Sequence, residues 1–459
     1  MRIAAALLAL GVAVTGCSSG GGKPAASPTP TPSGPTDISF VVYGPAPVLA
    51  AYQQIAAAFN AKHPTTRVKV LTYSTHDQAL AAVRETTASG NAPDLFQIDG
   101  DDLPGLVADK AVHKVDELLT DRRVDFGDGY TRSSLEAFSA DSALQCMPTD
   151  VSPLVVYYNT RLIDLSLAAE PDHRPVTQQT GWTLDEFHRV AALARRPGTR
   201  GLYVAPDLRQ VAPFVWSGGG DLVDDNDDPT TLSLSEDSSV TAMANFLDVV
   251  RDPQVSFDAA ALRKKSPVDR FKAGHLGMLL GYRDLMPVLR AQQGLNFDVM
   301  PLPRAGGAAT DASMRGICLS AKSAHDGKAA DFLTDVVSAA SAEKLAATGY
   351  AMPTNLEAVN GDAFLERGQR PLHSDVFERE MRHVQPVPHS RYWPQVQSVA
   401  VRSLTALFYD PVIDPLEDRL AAVDEASRLL FDPTATPSPS PSSSPTVTPS
   451  ASPAASPSG

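Results

Sequence analysis

The sequence predicts an α/β protein built as two lobes. Strand and helix signals alternate from Asp37 to Asp432, the first of them run strand–helix–strand–helix–strand, and the alternation resumes after an intervening region of comparable size. Ile38–Tyr43 is rich in β-branched and aromatic residues and closes at Gly44 and Pro45, so it reads as a strand. Leu49, Tyr52, Ala56 and Phe59 then fall on one helical stripe. Arg67–Tyr73 alternates as a second strand, Asp77–Ser89 is a helix stopped by Gly90, and Asp94–Ile98 is a third strand. Such a βαβαβ run begins a parallel sheet. Further on, Thr183 and Glu186 have capping-box spacing, with Trp182 placed to staple onto Phe187, so Trp182 is assigned to packing. The last helix starts at Asp414-Pro415-Leu416-Glu417, with Leu416, Leu420, Val423 and Leu430 as the apolar stripe that closes the second lobe.

Composition excludes several classes of function. Lys and Arg number 39 against 53 Asp and Glu, a formal charge of −14, so there is no broad basic field and no nucleic-acid partner is expected. Three cysteines cannot make a disulfide-dense scaffold. The motifs H-E-x-x-H, G-x-G-x-x-G and the P-loop are missing, and the histidines lack metal-ligand spacing; His383 and His389 are separated by Pro386 and Pro388. The acidic run Asp224–Asp228 has Pro229 where a calcium loop needs Gly and Ser235 where it needs Glu, so it reads as a solvated turn. No catalytic residue, metal or cofactor is expected.

The N-terminus reads as an export signal. Arg2 precedes the apolar run Ile3–Val14, which is too short to span a bilayer. Val14-Thr15-Gly16-Cys17 resembles a bacterial lipobox. The expectation is a signal peptide over 1–16, a lipid anchor on Cys17, and a Pro/Gly-rich tether over 17–36. Residues 433–459 are nearly all Pro, Ser, Thr and Ala, which predicts a disordered tail; the same composition also suits a glycosylated or wall-threading stalk.

Several segments, in order, resemble one family. Ser89-Gly90-Asn91-Ala92-Pro93-Asp94-Leu95, Pro153-Leu154-Val155-Val156-Tyr157-Tyr158-Asn159 and Gly181-Trp182-Thr183-Leu184-Asp185-Glu186-Phe187 are similar to motifs of the extracellular solute-binding proteins of ABC importers, in the carbohydrate-binding group typified by maltose-binding protein. Trp216-Ser217-Gly218-Gly219-Gly220, Gly316-Ile317-Cys318-Leu319-Ser320, Lys328–Leu333 and Gly349–Thr354 continue the resemblance. It implies a two-lobe periplasmic-binding-protein-like fold, each lobe a mostly parallel sheet flanked by helices, with the ligand cleft at the hinge. The first lobe would be 37–148 plus 318–352 and the second 149–317 plus 353–432. The function implied is capture of a small solute, a sugar or oligosaccharide, by a lipid-anchored monomer on the extracellular face of the cell membrane, and delivery to ABC permease subunits. An anchored extracellular hydrolase and a cell-wall interaction protein without a transport role are the alternatives.

The resemblance also carries site expectations. Tyr43 ends the first strand, Asp99 and Asp101 follow the third, Asp150 and Ser152 lie at the crossover, and Arg315 precedes the returning strand. Trp216 precedes the glycine run, and Tyr392 and Trp393 occupy a late aromatic position. Where the family shows Gly-x-Trp, this chain has Gly281-Tyr282-Arg283, so either Tyr282 stacks on ligand or Arg283 favours an anionic or highly polar one. Cys146 and Cys318 fall on hinge segments that run side by side in the resembled fold. With Cys17 lipidated they are the remaining thiols, so a disulfide between them is expected.

Overall fold

The computed structural model describes residues 34–169, 174–432 and 434. The signal segment, Cys17, the tether up to residue 33, and the tail apart from Thr434 lie outside the described residues. In chain order the first strands are β1 (Thr36–Tyr43), β2 (Thr66–Tyr73), β3 (Leu95–Asp99), β4 (Val112–His113), β5 (Ser139–Ala140) and β6 (Ala143–Leu144). There follow β7 (Cys146–Pro153), β8 (Val155–Asn159), β9 (Arg200–Tyr203), β10 (Leu276–Gly281), β11 (Phe297–Met300) and β12 (Ala312–Ser320).

The βαβαβ opening is present: β1 pairs in parallel with both β2 and β3. The helix Ala46–Lys62 turns Val48, Tyr52, Ile55 and Phe59 inward, with Pro47 in its first turn, where a missing N–H costs nothing. The helix His76–Ala88 is capped by Thr75, which accepts from the Gln78 N–H, and is released at Gly90, whose φ of 80° favours glycine.

The first sheet runs β2-β1-β3-β12-β4, with β7 also paired to β12; the second runs β11-β8-β10-β9. Both are mixed rather than mostly parallel. In each, the strand arriving from the other lobe, β12 in the first and β8 in the second, runs antiparallel to the neighbours it meets. The second sheet is covered on both faces. Val156 and Tyr158 enter a core with Trp182, Phe187 and Phe246, while Val155 and Tyr157 enter another with Phe271, Phe297 and Phe377, as the two-residue period of a strand requires.

The hinge is the antiparallel pair β7–β12. Cys146 and Met147 belong to the core of the first sheet, whereas Val151 belongs to a core of the second; on β12, Cys318 and Ala312 divide in the same way. The register shifts between Arg315 and Gly316, opposite Asp150 and Pro148, so a bulge lies at the changeover. A Cβ on Gly316 would sit 2.6 Å from the Phe138 ring, so glycine is needed for this close approach. The expected Cys146–Cys318 disulfide is formed where the two residues pair directly, with 4.3 Å between Cα atoms.

Trp182 is fully buried, edge-on to Phe187 at 5.1 Å, ahead of the Thr183–Glu186 capping box. The final helix, Leu416–Phe431, departs from its expected apolar stripe. Leu420 and Val423 are buried, but Leu416 and Leu430 are only partly so, and the inward face also carries Asp424 and Ser427. These two accept the backbone N–H groups of Leu234, Ser235 and Leu232 and thereby fasten a loop. The acidic run is a turn in which Asp224 accepts from the backbone of Thr230 and Thr231.

Candidate functional site

A cleft of about 510 Å³ opens beside the hinge, between the segment following β3 and the N-terminus of the helix Leu208–Ser217. The Val384–His389 segment walls one side. Backbone bonds from Gln385 to Thr310 and from His389 to Asn226 fasten it, and Pro386 and Pro388 restrict its backbone.

Four expected residues form one polar row beside the cleft, and of these Asp99 lines it. The Tyr43 hydroxyl donates to Asp99 at 2.6 Å. Arg315 pairs in register with Asp99 on one neighbouring strand and Asp150 on the other, and its guanidinium binds Asp150 at 3.0 Å. Burial pushes the Tyr43 phenol and the Asp99 and Asp150 carboxyls up; burial opposes the charge of Arg315, but Asp150, Tyr43 and Asp99 together hold its pKa above the ordinary value. Beside the row, His76 meets Asp102 at 2.6 Å and Asp99 at 4.0 Å, and hydrogen bonding to Asp102 raises it to about 9.

Asp101 stands at the centre. It accepts from Arg209 and Gln397, each at 2.9 Å, across the cleft. Arg209 also binds buried Asp311 at 2.9 Å and the Ala312 carbonyl at 2.7 Å. The Tyr282 hydroxyl donates to Asp311 and accepts from Arg209 at 3.2 Å. This bridge divides the space between the lobes. Tyr282 and Gln397 line a smaller groove of about 370 Å³ that shares Arg209, and Tyr392 lines one of about 680 Å³ that shares Asp101.

Other expectations are corrected. Arg283 is fully buried and points away from the cleft, because alternation beyond β10 sends Tyr282 to one side and Arg283 to the other. Its guanidinium lies 4.2 Å from the Phe364 ring and binds the Phe364 carbonyl at 2.7 Å and Glu366 at 3.3 Å; burial lowers its pKa to about 10. Trp393 is 2% exposed, since it opens a helix whose buried stripe continues through Val396, Ala400 and Leu404. Trp216 packs partly buried against the same core. The hydroxyl of Ser152 accepts the Arg283 backbone N–H at 2.6 Å within the hinge. Among the described residues no Phe, Tyr or Trp lines the cleft of about 510 Å³.

Arg209, Asp311 and Gln397 were not anticipated. A signal for Arg209 exists: it lies in the first turn of a helix capped by Asp207, just beyond the end of β9. In open α/β sheets that is where ligands sit.

Two α/β lobes hinged on paired strands, with a polar cleft beside the hinge, define a two-lobed binding protein. The family model described as bacterial extracellular solute-binding protein matches residues 54–371, and the chain belongs to that family. It is 22% identical over 376 residues to the sn-glycerol-3-phosphate-binding periplasmic protein UgpB of Pectobacterium atrosepticum, covering 77% of this chain and 82% of the relative. Among solved structures, the sugar-binding protein MalE of Xanthomonas citri superposes with a TM-score of 0.73 at 15% identity, covering 86% of this chain and 97% of that one. UgpB of Mycobacterium tuberculosis in complex with glycerophosphocholine gives 0.70 at 18% identity, covering 87% and 99%.

Proposed function

We propose that the protein is the solute-capturing subunit of an ABC importer, a monomer anchored through Cys17 to the extracellular face of the cell membrane, and that it takes a small hydroxylated solute such as a sugar or oligosaccharide. The observation that carries this reading is the Asp101–Arg209 contact across the cleft. It spans two bodies joined through the β7–β12 strand pair and the Met352–Pro353 segment that lies alongside β7, a narrow connection about which the bodies can part and close around a solute. The lobes are taken as 37–148 with 318–352 and 149–317 with 353–432. A solute that touches both sides favours the closed state by its differential affinity, and the permease then reads the closed form. Asp99, Asp101 and Arg209, which line the cleft, are the contacts assigned to the solute; Tyr282 and Tyr392 stand on the neighbouring grooves, and Tyr43, Asp150, Ser152 and Arg315 lie behind. The sugar-binding and sn-glycerol-3-phosphate-binding proteins among the similar chains support a polyhydroxylated solute.

A thermal-shift screen of mono- and oligosaccharides, sugar phosphates and polyamines tests the reading. Solute at 100 times Kd stabilises by about 2.7 kcal/mol. A chain that no small solute stabilises is not a capture subunit. For the anchor, Cys17→Ser is expected to leave an unprocessed precursor or to release protein into the medium; mature, correctly cleaved variant in the membrane fraction would overturn it.

A further inference from the structure

The charges around the cleft are unequal, and the inequality bears on the class of solute. Among the described residues Arg209 is the only Lys or Arg side chain on its lining, where Asp99, Asp101, Glu136 and Asp227 also stand. Its guanidinium is already committed. Asp311, with a side chain 1% exposed, and the Ala312 carbonyl hold it from the protein side, so rotation of Asp101 away would free one nitrogen of a neutralised cation. The cations beside the cleft are committed in the same way. Arg315 lies on Asp150 and His76 on Asp102. Glu136 has an exposed partner in Arg132. Asp99 has the Tyr43 hydroxyl and, at 4.0 Å, the edge of His76; Asp101 has Arg209, which Asp311 already balances.

An anionic solute entering this cleft meets carboxylates and finds, among the described residues of its lining, no guanidinium or ammonium free to bind it in pairs of hydrogen bonds. A protonated amine finds two carboxylates as acceptors. The carbon skeleton has apolar surface to lie on, from Leu103, Val107, Val384, Pro386 and Val387. A quaternary ammonium, which cannot donate a hydrogen bond, is recognised by aromatic faces, and among the described residues the lining has no Phe, Tyr or Trp. Resting on the solute-capture reading, we infer that the cleft selects a hydroxylated solute carrying a protonated amine, with Asp101 and Asp99 as its acceptors, and rejects phosphate esters.

The inference sets this chain's solute apart from that for which its 22%-identical relative is named, sn-glycerol 3-phosphate.

The test is a titration calorimetry series on one carbon skeleton at three charges: glucose, glucosamine and glucose 6-phosphate, with the corresponding disaccharides, and glycerophosphocholine as the quaternary probe. The expected order is amine, then neutral sugar, with no binding of the phosphate or the quaternary probe. Asp101→Asn, checked for fold by circular dichroism, is expected to cut the amine-to-neutral affinity ratio roughly tenfold, the scale of one charge-assisted hydrogen bond. Because the ratio is read within one variant, any change in lobe opening cancels. Preference for the phosphate, an unchanged ratio in Asp101→Asn, or no binding by any amine-bearing probe overturns the inference. In those cases binding of a neutral or phosphorylated solute leaves solute capture standing, and binding of nothing at all removes both.

Discussion

One carboxylate oxygen of Asp101 accepts hydrogen bonds from Arg209 and from Gln397, each at 2.9 Å, and both donors reach it from across the cleft. A single side chain thus links segments on opposite sides of the cleft. Asp101→Ala is expected to shift the solute-free molecule toward an open form. A largely buried pair whose cation keeps a second carboxylate partner in Asp311 contributes about 1 kcal/mol, roughly a fivefold change in the open-to-closed ratio. Small-angle scattering reads the change as a larger radius of gyration for the variant without solute; identical scattering curves would mean that the bridge does not hold the lobes.

The His76–Asp102 contact makes stability depend on alkaline pH. Hydrogen bonding to Asp102 raises His76 from the ordinary imidazole value to about 9, against an opposing effect of burial. Because the folded value is the higher one, the contribution is fully present below about pH 6.5 and is lost as pH rises through about 9. With solvent screening of a side chain 27% exposed, the loss is on the order of 2 kcal/mol. Urea midpoints measured from pH 6 to 10 are expected to fall for the parent chain and to change much less for His76→Gln; parallel curves would rule the linkage out.

Arg283 separates a stabilising role from a binding one. Removing its guanidinium leaves Glu366 with one fewer partner and opens space between Phe364 and Phe377. Arg283→Ala is expected to lower stability by about 3 kcal/mol, with Arg283→Met recovering part of it, since an apolar side chain of similar length refills the space. Solute affinity at a temperature where both variants are folded is expected to stay within twofold of the parent. A large loss of affinity in folded Arg283→Met would place the residue in the site after all.

The Cys146–Cys318 bond closes a segment with a sequence separation of 172. In the chain-entropy model such a closure stabilises by about 5 kcal/mol. The double variant Cys146→Ser/Cys318→Ser is therefore expected to unfold at a distinctly lower urea concentration. Reducing agent is expected to lower the midpoint of the parent chain and leave the variant unchanged.

What the sequence made legible was local or carried by order along the chain. The βαβαβ opening, the Thr183–Glu186 cap and the buried Trp182 follow from spacings within a few residues, and the Cys146–Cys318 pairing followed from the order of resembled segments. The bridge at Asp101 was half hidden because its partners lie 108 and 296 residues further along, and nothing in the neighbourhood of Gln397 marks it among other helical amides. Aromatic rings misled for a related reason. Trp393 at a helix start carries the same local pattern in a cleft wall as in a core, and only its phase with Val396, Ala400 and Leu404 tells them apart. Arg283 is subtler still: one step of strand alternation past Gly281 decides whether Tyr282 or its neighbour meets the cleft.

The position of the disulfide makes the middle of this polypeptide a covalent ring. Strands β8 to β11, the whole of the second sheet, lie between Cys146 and Cys318. A protease that severs one peptide bond anywhere along that stretch opens the ring without freeing an end from the molecule, and both new termini stay tethered to strands that pair with each other and with the first sheet. For a protein that works outside the cell, where damage cannot be met by resynthesis in place, this topology lets a nicked copy remain one molecule.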